Sequence, residues 1–475
     1  MDDYPGALGW LYSLMPAHFD LKLERVRAAL EAWGHPERAF PSVIVAGTNG
    51  KGSTAHFLSE GMAAFGWRVG TFTSPHLHRF GERIRVGGEP LSEAATVAFA
   101  QKLRREMETG HLPALSFFEA TTLMALETFR RAQVDWAVLE VGLGGRLDAT
   151  NAVDAELAIL TEVGLDHQAY LGPTLRHIAK EKAAVCRPGK PFLVGASAQR
   201  VQTVAQAFAQ RIGAHCALIG RDFHVQREGS ELTLRVAASW VRDQEALGSR
   251  APRGHLSAQV REATEASPLD LSRALAWRAL LHLGAGESPE RLKRATQAVA
   301  RATWAGRFEW HHAGHHAVLL DGAHNPQGAS ALRAYLETHP NFRAAPQRTL
   351  IFGAMRDKDP GSLLAIVGSL FDRIVLLPLP LSRSASASDL LEAAAETCKE
   401  ACVSVASEPE EALAEVLGPA RAGDSSRVTS SVSGALQSQG TEDSNHLVVA
   451  AGSLFVMAAV RACLLKLTSD PPVAS

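Results

Sequence analysis

Residues 47–53 read Gly-Thr-Asn-Gly-Lys-Gly-Ser, between an apolar run at 42–46 and a helical pattern that passes through His56-Phe57-Leu58. Glycines at a strand-to-helix junction let backbone N–H groups turn toward an anion, and the helix that follows adds the positive end of its dipole. Lys51 supplies a fixed cation, so the chemistry on offer is retention of nucleotide phosphates by Thr48, Asn49, Gly50, Lys51, Gly52 and Ser53. Strict phosphate-loop spacing would put Gly at position 45, which is valine here, so the match is to a shortened variant. The bland reading of the same residues is a tight turn with an exposed lysine.

A nucleoside triphosphate travels with Mg²⁺, which calls for hard oxygen ligands. Glu140 is the carboxylate best suited, because it lies in the apolar run Trp136-Ala137-Val138-Leu139-Glu140-Val141, just before Gly142-Leu143-Gly144-Gly145. A lone charge in such a run is costly unless it is paired or bound to metal. The competing account of Glu140 is a buried ion pair with an arginine.

These groups need a framework of buried strands. Runs at 42–46, 136–141 and 157–161 read as continuous apolar strands alternating with helical sequence, which implies a parallel sheet covered on both faces. The pattern restarts at 316–320, 348–352 and 373–377, so a second, smaller α/β domain is expected. At 475 residues the chain exceeds one compact core. The expected architecture is α/β: an N-terminal ATP-binding domain over 1–301 with a parallel-rich sheet, and a Rossmann-like domain over 302–475, hinged near Ala302–Gly306. Two segments look like poor core material. Residues 242–266 mix charge, Gly and Pro, whereas 423–445 are rich in Ser, Gly, Thr and Gln and read as a mobile surface insertion.

Composition excludes several classes. Lys plus Arg number 48 against 50 Asp plus Glu, which argues against attraction to nucleic acid or to an anionic membrane. The run Leu447–Val460 is shorter than the ~20 residues of a spanning helix and reads as a buried strand entering a helix. The N-terminus carries no basic and apolar signal pattern, so a cytoplasmic address is expected, and a monomer. The five cysteines form no CxxC pair; Cys398 and Cys402, four apart, fit one face of a buried helix.

Eight segments in order resemble the folylpolyglutamate synthase/dihydrofolate synthase family of the Mur ligase superfamily: VAGTNGKGST at 45–54, TSPHLHRFGERIRV at 73–86, SFFEATT at 116–122, EVGLGGRLDATN at 140–151, Asp166-His167, IAKEKAA at 178–184, AGRFE at 305–309 and LDGAHNP at 320–326. The resemblance implies an ATP-dependent amide ligase that adds L-glutamate to dihydropteroate, to tetrahydrofolate polyglutamates, or to both. ATP would first convert the acceptor carboxylate to an acyl phosphate. It further implies that Lys51 holds phosphates, and that Ser74, Glu140 and His167 ligate Mg²⁺. On its own His167 fits a helix-start residue as well as a catalytic one, and imidazole is an unusual Mg²⁺ ligand.

By the same resemblance Lys182 is carbamylated to N6-carboxylysine and serves a second Mg²⁺. Without it, Lys180-Glu181-Lys182 reads as a surface run. The stretches Ser116, Phe117, Phe118, Glu119 and Leu147, Asp148, Ala149 match pterin-binding segments; if 116–119 were a strand, only one phenylalanine could face the ligand. Arg307 and Asp321 match ATP contacts, and His324 with Asn325 lies in a loop that closes toward the acyl phosphate. The chain departs from the pattern at Leu269-Asp270-Leu271-Ser272, where Ser272 stands in place of the family's nucleotide-contacting Asn and no His-Gln precedes it. The rival functions are a Mur-type ligase acting on a cell-wall precursor and a nucleotide-binding regulator without catalysis.

Overall fold

The computed structural model describes residues 3–15, 22–237, 259–264, 266–284, 288–418, 429–430 and 446–471. The chain divides into two compact units, Met1–His76 with Phe80–Ala302, and Leu77–Arg79 with Thr303–Ser475.

The first unit is built on strands β1 (Ser42–Ala46), β2 (Val69–Phe72), β3 (Ile84–Val86), β4 (Glu89–Pro90), β5 (Trp136–Glu140), β6 (Leu157–Leu160), β7 (Pro191–Val194) and β8 (His215–Leu218), in the order β4-β3-β2-β5-β1-β6-β7-β8. The strands from β2 to β8 in that order are parallel, and β3 and β4 form an antiparallel edge. Every residue of β1, β2, β6 and β7 is buried, which is why these strands read as unbroken apolar runs. One face packs Phe72, Ala137 and Leu139 against Leu8, Val26, Phe99, Leu123 and Phe129 from four helices. The other packs Ile44, Leu160 and Phe192 against Ile178 and Val201.

Helix ends follow the local chemistry of the sequence. Ser92 and Thr174 accept from backbone N–H groups at the starts of helices Glu93–Glu108 and Leu175–Ala183. Helix Lys51–Ala64 carries little polar surface, because it packs on β1, β2 and β5 and also beneath helices Asp270–Leu283 and Pro289–Arg301. Three further strands, β9 (Phe223–Glu228), β10 (Glu231–Val236) and β11 (Gln259–Ala263), form an antiparallel sheet in the order β11-β10-β9. Part of the segment expected to be poor core is therefore a paired strand; its residues 242–258 and 265 lie outside the described residues.

The second unit has β12 (Glu309–Ala313), β13 (His316–Leu320), β14 (Gln347–Phe352), β15 (Arg373–Leu376), β16 (Cys402–Val405), β17 (Thr429–Ser430) and β18 (His446–Ala451), in the order β16-β15-β14-β18-β13-β12-β17. Strands β16 to β13 are parallel, and β12 and β17 close the edge antiparallel. Apart from β17, the expected insertion at 423–445 lies outside the described residues. The run Leu447–Val460 is a strand followed by helix Leu454–Leu465, as its Gly452-Ser453 break implies. Cys398 and Cys402 do not share a helical face: Cys398 ends helix Ala387–Thr397 and is buried, whereas Cys402 opens β16 and is exposed. Among the described residues no helix is long and apolar enough to cross a membrane.

The tripeptide Leu77–Arg79 belongs to the second unit although both of its flanks belong to the first. Leu77 packs on the apolar cluster of Val456, Met457 and Val460. His78 Nδ1 lies 3.0 Å from Ser469 Oγ, Arg461 Nη1 lies 2.9 Å from His78 Nε2, and Arg79 pairs with Asp470 at 3.2 Å.

Packing against β2 is tight at Gly70, where a methyl group would sit 2.6 Å from Cγ and Cδ1 of the buried Phe129 ring. Gly70→Ala is expected to lower unfolding free energy by about 1–3 kcal/mol in urea titrations. The same change in a Phe129→Leu background should cost less, since the ring is gone. Equal costs in both backgrounds would contradict this packing.

Candidate active site

Ligands of open α/β sheets bind beyond the carboxyl ends of the strands, where the order of connection reverses. In the first unit that place is the end of β1: the chain leaves it for β2, past β5, and later runs outward on the other side through β6, β7 and β8. Three neighbouring strand ends meet there. β1 delivers residues 47–50, β5 delivers Glu140, and β6 delivers Thr161.

The glycine loop is shaped by backbone demands and by Thr161. Gly50 precedes helix Lys51–Ala64 in the left-handed region, with φ 84°, which glycine adopts without strain. Gly47 lies against Thr161, and a methyl group there would come within 1.8 Å of Thr161 Oγ1. That hydroxyl donates to the Asn49 carbonyl at 2.8 Å and lies 3.2 Å from the Ala46 carbonyl. The Thr48 N–H donates to Glu162 O at 2.7 Å, and Thr48 Oγ1 accepts from the Gly164 N–H at 3.1 Å. The loop is thus stitched to the segment that carries Asp166 and His167. Lys51 is half-buried and its Nζ donates to the Thr48 carbonyl at 3.2 Å, so it is not the exposed lysine of a plain turn. Ser53 is buried at the start of the helix. Ser272 reaches this loop: its Oγ lies 3.5 Å from the Gly50 carbonyl.

Glu140 is 4% exposed, and its Oε2 accepts the backbone N–H of Ser74 at 2.9 Å. A methyl group on Gly52 would sit 3.2 Å from Oε2 and 3.4 Å from Oε1, so the missing side chain makes room for this carboxylate beside the loop. Among the described residues no group of three His, Cys, Asp or Glu side chains is assembled for a metal. A carboxylate and the Ser74 residue beside a phosphate loop fit a hard divalent ion that draws its other ligands from phosphate oxygens and water. His167 follows in a left-handed conformation, φ 49°, with its Nε2 3.8 Å from Asp166 Oδ1.

Lys182 is 4% exposed, which corrects the surface reading of Lys180-Glu181-Lys182. Its Nζ donates to the Gly47 carbonyl at 2.7 Å. Burial, followed by repulsion from Lys51, draws the ammonium down to about 7, against the pull of Asp166 and Asp148.

The stretch at 116–119 opens a helix, not a strand, and part of it is structural. Ser116 and Glu119 form a capping box on helix Phe117–Arg131, and Glu119 also accepts from Arg25 Nε at 3.1 Å. Phe117 is buried against Tyr12 and Phe80, with ring centroids 5.7 and 6.2 Å away. Phe118 is half-buried and lies on Gly142, where a methyl group would meet its ring at 2.6 Å. Asp148 braces the loop that follows β5: Oδ2 accepts from the Leu143 N–H at 2.9 Å and Oδ1 from Thr150 Oγ1 at 2.6 Å. Its burial pushes the carboxyl up, against those hydrogen bonds. Leu147 is half-buried and Ala149 buried beside it. Both expected pterin stretches therefore converge on the loop that continues Glu140, with Phe118 and Leu147 as their half-buried apolar residues.

The second unit gathers Arg307, Asp321, His324 and Asn325 around the end of β13. Asp321 is buried; Oδ1 accepts from the Ala323 N–H at 2.9 Å and Oδ2 from the Phe308 N–H at 3.1 Å. Burial pushes its carboxyl up, opposed first by Arg307. The Arg307 guanidinium crosses Gly322, where a methyl group would meet Nη1 at 2.7 Å. His324 Nδ1 lies 2.8 Å from the Gly322 carbonyl, and Asn325 caps helix Pro326–Thr338 through the Gly328 N–H at 2.8 Å.

Sequence reasoning passes over Thr161, the brace of the glycine loop, and Arg83, which donates from Nε to His76 Nδ1 at 2.7 Å behind Ser74. Thr161 has a readable signal, as a hydroxyl residue at the end of a central parallel strand; Arg83 has none outside the motif that contains it.

Residues 45–212 match the Mur ligase middle domain and residues 306–432 the Mur ligase, glutamate ligase domain. Dihydrofolate synthase/folylpolyglutamate synthase of Escherichia coli strain K12 is 36% identical over 391 residues, covering 81% of this chain and 84% of that protein. The solved structure of E. coli FolC in complex with DHPP and ADP superposes with a TM-score of 0.80 at 29% identity, over 98% of each chain. That of the Yersinia pestis bifunctional folylpolyglutamate synthase/dihydrofolate synthase complexed with AMPPNP and Mn ion gives 0.77 at 30% identity, also over 98% of each. With its sheet order, its glycine loop and two-domain match to these proteins, the chain belongs to the folylpolyglutamate synthase/dihydrofolate synthase family.

Proposed function

We propose that this chain is an ATP-dependent ligase that joins the amino group of L-glutamate to the carboxylate of dihydropteroate, of reduced folates, or of both. The observation that carries the reading is the glycine loop with the buried Glu140 carboxylate at its side and Lys182 bonded to its first carbonyl. That arrangement suits a triphosphate and its metal, since a buried carboxylate and a buried amine beside such a loop are costly without a charged ligand to serve.

The chemistry runs in two steps. An oxygen of the acceptor carboxylate takes the γ-phosphoryl group of ATP, releasing ADP; the amine of glutamate then attacks the acyl carbon, phosphate leaves, and the nitrogen loses its proton. Lys51 and the N–H groups of residues 50–53 hold the phosphates for in-line transfer, which is mainly a matter of position and charge, while the N–H groups of Thr48 and Asn49 are spent on Glu162. Ser74, Glu140 and His167 would hold divalent metal, whose part is to neutralise phosphate charge as it shifts. By their likeness to the family's motifs, Arg307 and Asp321 would contact ATP and His324 would belong to the acyl-phosphate step. Phe118 supports a planar pterin with its half-exposed ring. Lys182 is suited to carbamylation, because CO₂ adds only to the neutral amine and burial favours that form. Such a carbamate would offer a second metal an anionic ligand.

The direct test is an assay of purified protein with ATP, Mg²⁺ and glutamate, with dihydropteroate and tetrahydrofolate as alternative acceptors. Amide formation with at least one, matched by phosphate release, is expected; phosphate release with amide from neither would overturn the substrate assignment.

Lys182→Ala should reduce kcat by about 100-fold or more, and short carboxylates such as formate should restore part of it. Absence of rescue with wild-type folding would contradict a carbamate role. Because the ammonium loses its proton near pH 7, the neutral fraction grows as pH rises through that value. Activity regained on adding bicarbonate to CO₂-stripped enzyme should therefore be larger at about pH 8 than at about pH 6. A flat response across that range would count against carbamylation.

A further inference from the structure

Arg83 closes the short 3₁₀ segment Phe80–Arg83 ahead of β3 and is 4% exposed. A guanidinium is rarely buried so fully without a task, and here Arg83 holds one turn of chain at both ends, one through its backbone and one through its guanidinium. Its carbonyl accepts the Thr73 N–H at 2.9 Å, and its Nε donates to His76 Nδ1 at 2.7 Å. Between these two anchors lies Ser74, whose own N–H donates to Glu140 Oε2. Since Arg83 Nε can only donate, His76 Nδ1 must accept, which puts the proton of the neutral ring on Nε2.

The rest of the setting fits a fixed support. The guanidinium carbon stands 5.0 Å from the centroid of the Phe117 ring, so the helix that begins at Phe117 backs the same residue. Burial draws the guanidinium down to about 10, while Tyr12, Glu140 and Glu82 pull it back. Glu140 is thus within electrostatic reach of a buried cation that also pins its hydrogen-bond donor.

We infer that Arg83 is a positioning residue for the divalent metal: by clamping the Thr73–His76 turn it fixes Ser74 against Glu140, so that hydroxyl and carboxylate meet the ion from set positions. The inference rests on the reading that Ser74 and Glu140 are metal ligands. Partners behind metal ligands typically change affinity by about 10–100-fold when removed.

The test is titration of Mn²⁺ into the full chain with a non-hydrolysable ATP analogue, following free Mn²⁺ by electron paramagnetic resonance, for the wild type, Arg83→Met, His76→Leu and His76→Asn. His76→Leu deletes the acceptor for Arg83, whereas His76→Asn keeps an acceptor near the Nδ1 position. About 10–100-fold weaker Mn²⁺ binding is expected in Arg83→Met and His76→Leu, with His76→Asn close to wild type and ADP affinity in EDTA unchanged in all. A merely structural role would lower ADP affinity and melting temperature together and would not separate Asn from Leu. If Arg83→Met fails to fold, the two His76 variants decide. Wild-type Mn²⁺ affinity in His76→Leu would overturn the inference. Failure of the wild type itself to bind Mn²⁺ beyond the nucleotide alone would instead overturn the metal assignment of Ser74 and Glu140.

Discussion

A carboxylate at the end of a buried strand keeps its charge only if donors and cations surround it, and Glu140 sets that requirement for the first unit. Ser74 answers with a backbone N–H, Arg83 with a buried positive charge, and Gly52 by having no side chain. Lys182 poses the same problem with the opposite sign, answered by the Gly47 carbonyl and by two nearby aspartates. Both groups border one glycine loop.

The fold makes that meeting possible by geometry. Parallel strands deliver their carboxyl ends to one edge, so residues far apart in sequence, such as Gly47, Glu140 and Thr161, become neighbours. The price is a sheet buried on both faces, with rings such as Phe129 set against bare backbone at Gly70. The second unit repeats the plan, with Asp321, Arg307 and His324 gathered beyond β13.

Much of this is legible in the residues. The strands at 42–46, 136–140 and 157–160 show as apolar runs because burial on both faces removes alternation. The glycine loop shows because its spacing has a mechanism. Other features are hidden for physical reasons. Periodicity cannot tell Cys398 and Cys402 on one helix from a helix end and a strand start, which is where they lie. Ser116 and Glu119 carry the Ser-x-x-Glu signature of a helix start, yet the same residues sit in a segment that resembles a ligand site. Lys182 is flanked by Lys180 and Glu181, and only the three-dimensional packing shows that one of three charges turns inward. Arg83 acts through hydrogen bonds to residues 73 and 76, a relation that no local pattern encodes.

Carboxylate activation by phosphorylation before the amide forms is the step on which the proposed chemistry of this site turns. The most direct measurement is a single reaction with acceptor labelled by ¹⁸O in its carboxylate, followed by mass analysis of the inorganic phosphate released. Transfer of one labelled oxygen to phosphate for each amide formed is the result this chemistry predicts. Unlabelled phosphate, with both labelled oxygens accounted for outside it, would contradict it.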